Sequence, residues 1–218
     1  MGELVVVYGA SGVGKSTSLR NFGEKDILLI NVDGKRLPFK KKFAYVLTTE
    51  DVDTMINQMI KMPCKVAVID DAGMIMANRW CRAHSSQKVG NASFQMYNDL
   101  GDSIFNLMMA VKKLPPDVIV YMMFHEEQTD FGSYKIKTIG KMVDSKCPIE
   151  SHVTICLRAM IQDKEHVFIT QNLGTDVSKS PINMFPESIP NDLMAVDKAI
   201  REYYGMDPIA EVHDGKDV

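Results

Sequence analysis

Apolar positions along the chain follow two rhythms. Continuous apolar runs at residues 3–8, 27–32, 43–47, 65–70 and 118–124 have the length of buried strands rather than helices. Between them, Met55, Ile56, Met59 and Ile60 within 51–61 recur at helical spacing. So do Phe94, Tyr97, Leu100, Ile104, Leu107, Met108 and Val111 within 93–113, a pattern that Pro115-Pro116 stops. Strands apolar on both faces, alternating with amphipathic helices, predict an α/β fold: a mainly parallel sheet flanked by helices. The last third changes character. Strands at 152–160 and 165–171, joined across Gln162-Asp163-Lys164, predict a C-terminal antiparallel hairpin, and a helix over 191–204 ends at Gly205. Residues 72–92 and 125–150 carry no strong periodicity. They are expected as long irregular segments after strand ends, the rim at which ligands bind in open α/β sheets. The chain thus divides into a core over 1–190 and a C-terminal helix with an acidic tail over 191–218.

At 218 residues the sequence supports one substantial core and not two comfortable domains. No apolar run approaches the roughly 18 residues of a membrane span, and the opening residues are not a signal peptide. The four cysteines, Cys64, Cys81, Cys147 and Cys156, lack framework spacing, which points to reduced thiols and a cytoplasmic setting. A net charge of −3 neither demands nor excludes a polyanionic partner, so local clusters carry the information. Lys35, Arg36, Lys40, Lys41 and Lys42 form one basic group, and Lys135, Lys137, Lys141 and Lys146 another, against an acidic tail from Asp207 onward.

The chemistry concentrates after the first strand. Gly9-Ala10-Ser11-Gly12-Val13-Gly14-Lys15-Ser16 follows it directly and leads through Thr17 into Ser18-Leu19-Arg20. Strand, glycine loop and helix together hold the phosphates of a nucleoside triphosphate: the glycines let backbone N–H groups converge on phosphate oxygens, and the helix N-terminus adds partial positive charge. Lys15 is placed for the β- and γ-phosphates and the Ser16 hydroxyl for Mg²⁺. Asp70 closes the strand at 65–70, where a nucleotide hydrolase keeps the Walker B carboxylate that holds Mg²⁺ from the other side. Asp71 is open between assisting there and capping the next turn. His125 ends the strand at 118–124, placed to touch the γ-phosphate and report its presence.

Beyond these motifs the sequence resembles a known family. Ile30-Asn31-Val32-Asp33-Gly34 resembles the I-D-T-E-G turn of RecA-like recombinases, whose glutamate activates the attacking water. The resemblance implies that role for Asp33, one methylene shorter, or for another carboxylate. His125-Glu126 stands where those proteins carry Asn-Gln, and the histidine is similar to the phosphate-sensing position of RecA-like ring helicases. Ile149-Glu150-Ser151-His152-Val153-Thr154-Ile155-Cys156-Leu157-Arg158 is similar to the strand after the family's second DNA-binding loop. Residues 132–146 then fall in that second loop and 72–92 in the first. The resemblance covers residues 3–190 in element order and is greatest to compact phage ATPases associated with single-strand annealing.

It implies a RecA-like P-loop core, ATP and Mg²⁺ as ligands, and a DNA-stimulated ATPase of phage recombination or replication. It also implies a homo-oligomer, ring or short filament, that binds single-stranded DNA and meets a phage or host replication protein. Single-stranded DNA binding wants basic segments carrying stacking groups. Phe131, Tyr134, Lys135, Lys137, Lys141 and Lys146 supply them in the second loop, and Arg79, Trp80, Arg82 and Lys88 in the first. Lys141 is alternatively a finger that reaches a neighbouring subunit's γ-phosphate. Two other classes stay open: a small-molecule or nucleotide kinase, and an ATP-switched helicase loader or assembly protein.

Overall fold

The computed structural model of the chain describes residues 1–84, 91–140, 144 and 148–209, with the backbone alone at 83, 84 and 91–94. Five parallel strands form its centre: β1 (Glu3–Gly9), β2 (Ile27–Asn31), β3 (Tyr45–Leu47), β4 (Val66–Asp70) and β5 (Ile119–Gln128). β6 (Tyr134–Ile136) folds back antiparallel on the end of β5. β7 (Ile155–Gln162) joins β1 in parallel, and β8 (Glu165–Ile169) and β9 (Ser188–Pro190) extend the sheet antiparallel. The order across the sheet is β3-β2-β4-β5-β1-β7-β8-β9, with β6 attached to β5. The sheet is mixed and mostly parallel, with antiparallel C-terminal strands, in an α/β fold.

Because successive strand residues face opposite sides, each central strand feeds two cores. Val6, Tyr8, Ile30, Ile69, Met122 and Phe124 face three helices, α1 (Val52–Lys61), α2 (Gly73–His84) and α3 (Asn91–Lys112). Val5, Val7, Leu29, Val68, Tyr121 and Met123 face the other side. There they pack against Leu19 and Phe22 and against α4 (Leu193–Tyr204), through Leu193, Val196 and Ile200. Asp192 caps α4 by accepting from the Met194 and Ala195 N–H groups, and Gly205 ends it at φ 64°. Inside that layer Arg201 donates to Asp197 at 2.6 Å, and Tyr121 donates to the same carboxylate at 3.2 Å. The helix therefore docks by a buried ion pair as well as by apolar packing.

Three expectations are corrected. Residues 73–84 form helix α2, not an irregular loop: Ala72, Ile75, Met76 and Trp80 repeat at helical spacing and turn inward. Residues 125–128 continue β5, and 126–128 pair with β6, so the start of the 125–150 segment is a β-hairpin. The element after the glycine loop is a 3-10 turn, Ser16–Asn21, whose three-residue period sets Leu19 and Phe22 on one buried face. Lys88, Lys141, Lys146 and the tail from 210 lie outside the described residues. Among the described residues no helix is long and apolar enough to cross a membrane.

Candidate active site

Parallel pairing brings the chemical groups to one rim. Gly9 at the end of β1 is level with His125 on β5, and Asn31 on β2 is level with Asp70 on β4. The loop 9–16 arches from β1 over β5, and the Ser16 hydroxyl donates to Asp70 Oδ1 at 3.0 Å. A cleft of about 330 Å³ opens along this arch, lined by residues that include Gly12, Gly14, Lys15, Ser16, Asp70 and His125.

At two of its glycines the loop packs too closely on its surroundings to admit a side chain. A Cβ at Gly9 would lie 2.3 Å from the Ala159 carbonyl oxygen on β7, a contact backbone cannot relieve. Gly14 has φ 98°, and a Cβ there would also meet His166 Nδ1 at 3.0 Å and Asn191 Oδ1 at 3.3 Å. His166 on β8 donates from Nδ1 to the Val13 carbonyl at 2.9 Å, so the C-terminal strands brace the loop from outside. His166 carries no sequence signal for this, because it acts through the loop's backbone carbonyl.

Lys15 is 6% exposed and turns back on the loop, donating to the Gly9 and Ala10 carbonyls at 2.8 and 2.7 Å. Burial lowers the pKa of this ammonium, while Asp71, Asp70 and Glu126 draw it back up. Asp70 shifts the other way: burial, then the Asp71 charge, raises its pKa, and the Ser16 hydrogen bond opposes them. His125 is lowered by burial and by Lys15, so its imidazole is neutral at neutral pH; its Nε2 lies 3.4 Å from Asp71 Oδ1. Asp71 itself sits in the left-handed region at φ 58°, which turns its carboxylate into the cleft beside His125. Asp33 stands at the mouth, 3.0 Å from Lys35 and 3.4 Å from the Asn78 amide, and those contacts lower its pKa, that of Lys35 first.

The donor set suits Mg-ATP. The hydroxyl and carboxylate of Ser16 and Asp70 already face each other across the cleft, and Lys15 tops a loop whose glycines leave room for phosphates. The expected help from a helix N-terminus is corrected: a six-residue 3-10 turn has little macrodipole, so the loop and Lys15 carry the phosphate charge.

The sequence-expected DNA residues among the described ones lie outside the cleft, divided between the β5–β6 hairpin and α2. Phe131 is 97% exposed at the tip of the β5–β6 hairpin, next to Gly132. Tyr134 lies under the Arg158 guanidinium, 3.6 Å from its ring centre, and Arg158 in turn donates to Glu126 at 2.8 Å. Lys135 is held by Glu127 at 2.9 Å and by Asp144, whereas Lys137 is exposed. On α2, Arg79 donates to Ser103 and Arg82 pairs with Glu50, while Trp80 packs on the core. The first segment is thus a docked helix carrying paired arginines.

A search of curated proteins finds no match. A solved structure of a prototypical ATPase from the type III secretion system of pathogenic bacteria is similar, with a TM-score of 0.44 and 14% identity. The similarity covers 75% of this chain and 52% of that one, so the chain spans about half of that protein's length. The profile of the AAA domain family matches residues 2–182, from β1 through β8 and including the cleft. The chain belongs to the AAA domain family and is a P-loop ATPase domain, of the class that binds and hydrolyses ATP with Mg²⁺.

Proposed function

We propose that the chain is a RecA-like, DNA-stimulated ATPase that binds single-stranded DNA in recombination or replication of the phage annealing type, and works as a homo-oligomer. The observation that carries this reading is the course of β5. Its residue His125 borders the cleft, and the same strand runs on through Glu126 and Glu127 into a hairpin tipped by the exposed Phe131. An aromatic tip with Lys137 near its base suits base stacking with backbone attraction. In this reading Lys15 and the loop 9–17 hold the phosphates, and Ser16 and Asp70 hold Mg²⁺, which neutralises phosphate charge when bound. Asp33 or Asp71 orients and deprotonates water. Neutral His125 donates toward the terminal phosphate and passes its occupancy to the hairpin through the Lys137 N–H, which donates to the His125 carbonyl at 2.8 Å.

The deciding experiment measures ATP hydrolysis, and mass by light scattering, each with and without a single-stranded oligonucleotide. DNA-stimulated turnover with assembly supports the proposal. Turnover that no polynucleotide alters in rate or mass overturns it. Phosphoryl transfer to a nucleoside monophosphate then marks a kinase, and stimulation by a protein alone marks a loader.

A further inference from the structure

Lys35 lies in the turn after β2, and its backbone is fixed there: the Asn31 side-chain amide donates to its carbonyl at 2.6 Å. Its ammonium lies 2.8 Å from Asp71 Oδ2 and 3.0 Å from Asp33 Oδ2. One cation therefore joins the carboxylate after β2 to the carboxylate after β4, across the mouth of the cleft that also contains Lys15, Ser16 and Asp70. Asp71 is largely covered, at 13% exposure, and holds His125 on its other oxygen; the Lys35 side chain is 57% exposed on a flexible stem. Of the three groups, Lys35 is the one free to move.

A bridge this exposed contributes only about 0–1 kcal/mol to stability, so fold stability does not account for a lysine here. Charge does. Asp70 and Asp71 line the same small volume, Asp33 adds a third carboxylate beside Lys35, and a terminal phosphate entering the cleft adds further negative charge beside Asp71. An ammonium has three N–H donors, of which the two carboxylates take two. The hydrogen bonds with Asp71 and then Asp33 keep this group fully protonated at neutral pH.

We propose that Lys35 is a second residue, beside His125, by which the cleft tells ATP from ADP: bridged to Asp33 and Asp71 here, its ammonium turns to the terminal phosphate of ATP and in doing so releases the Asp33 carboxylate. The inference rests on the nucleotide site proposed above. It makes Lys35 a phosphate-contacting residue, and it assigns Asp33 two conditions: bound to a cation without the terminal phosphate, and unpaired from it when that phosphate is present. Because ADP ends one phosphate short, it leaves the bridge as it stands.

The test is equilibrium binding in Mg²⁺ of a non-hydrolysable β,γ-imido ATP analogue and of ADP to wild type and to Lys35→Met, Lys35→Arg and Asp33→Asn. Lys35→Met should bind the triphosphate about tenfold more weakly, with ADP affinity within about twofold of wild type. Lys35→Arg should keep most of the preference. Asp33→Asn removes one competitor for the ammonium and should raise triphosphate affinity by about threefold, a gain that a misfolded variant cannot imitate. An unchanged triphosphate-to-diphosphate ratio in Lys35→Met, or an equal loss of both ligands, overturns the inference while leaving the nucleotide site intact. Wild type that binds neither nucleotide overturns both readings.

Discussion

Replacing Asp70 by asparagine should make the protein more stable and inactive at once. Asp70 is 7% exposed and accepts the Ser16 hydroxyl at 3.0 Å. Burial and then the adjacent Asp71 charge lift its pKa above the ordinary 3.8, and Ser16 and Lys15 offset this only in part. The ionised carboxylate therefore weighs against the fold. Asparagine has nearly the same shape, keeps an oxygen for Ser16 and removes the charge, at the loss of charge assistance in one hydrogen bond, about 1 kcal/mol. Relief of desolvation and of repulsion from Asp71 exceeds that loss, because the raised pKa already contains the hydrogen bond. A net gain of about 1 kcal/mol corresponds to about 2–4 °C in Tm for a chain of this size. The pH dependence fixes the sign. Between the unfolded value, near about 4, and the raised folded value, the native state binds more protons than the unfolded one. Wild-type stability therefore falls as pH rises through that window, while the variant escapes the fall. Its Tm advantage should be smallest at the acid end and complete at pH 7. Mg-ATP reverses the order, because ligand at a hundred times its Kd adds about 2.7 kcal/mol to whichever form binds it. Thermal melts from pH 4 to 8 with and without Mg-ATP, together with phosphate-release assays, read all of this. An asparagine variant that melts lower than wild type at pH 7, or that hydrolyses ATP within about tenfold of wild type, refutes the reasoning.

Gly9→Ala drives a Cβ against the Ala159 carbonyl and should lower stability in urea titrations by about 2–4 kcal/mol. Asp197→Ala leaves Arg201 buried without its carboxylate and Tyr121 without its acceptor; a loss of about 3–5 kcal/mol should appear as a sharply lowered Tm. Phe131→Ala should leave Tm within about 1 °C of wild type, since the ring is solvent-exposed, and should abolish DNA stimulation of ATP turnover if the tip stacks on bases. Lys135→Ala with Lys137→Ala should weaken oligonucleotide binding and lower its salt slope by about 1–2, measured by anisotropy across a salt series.

The central sheet was legible because its strands are buried on both faces and announce themselves as unbroken apolar runs. The glycine loop and Asp70 were legible because their roles depend on local sequence. What escaped was set by pairing over long distances. β9 is three residues long and ends in Pro190, a residue an edge strand tolerates but a propensity reading rejects. β6 is equally short and exists because β5 runs past the rim and offers it a partner. Helix α2 did carry its signal in Ala72, Ile75, Met76 and Trp80, obscured by Gly73 and by the polar Asn78, Arg79 and Arg82 between them. In the cleft, Lys35 reads in sequence as part of a basic surface turn. Asp33 is two residues away in the chain, but only the return of β2 beside β4 shows that Lys35 also meets Asp71, 36 residues on.

The position of β5 between β1 and β4 shapes how any signal leaves the cleft. Neighbouring strands lie about 4.8 Å apart, so the loop that carries Ser16 must cross above β5 to reach Asp70, and His125 lies beneath that crossing. A group bound under the arch therefore presses on the one strand that continues beyond the rim. Immediately past His125, Glu126 is clamped by Arg158 of β7, which is itself buried and stacked on Tyr134 of the hairpin. Separating that ion pair would strand a buried guanidinium, which is costly, so the hairpin root moves with the sheet and not independently of it. Under the proposed function, nucleotide state then reaches Phe131 as a change in the aim of a stiff hairpin. Coupling of this kind needs no folding of a disordered loop, and it places the mechanical burden on Glu126 and Arg158, the pair that ties the strand end beside the cleft to the hairpin.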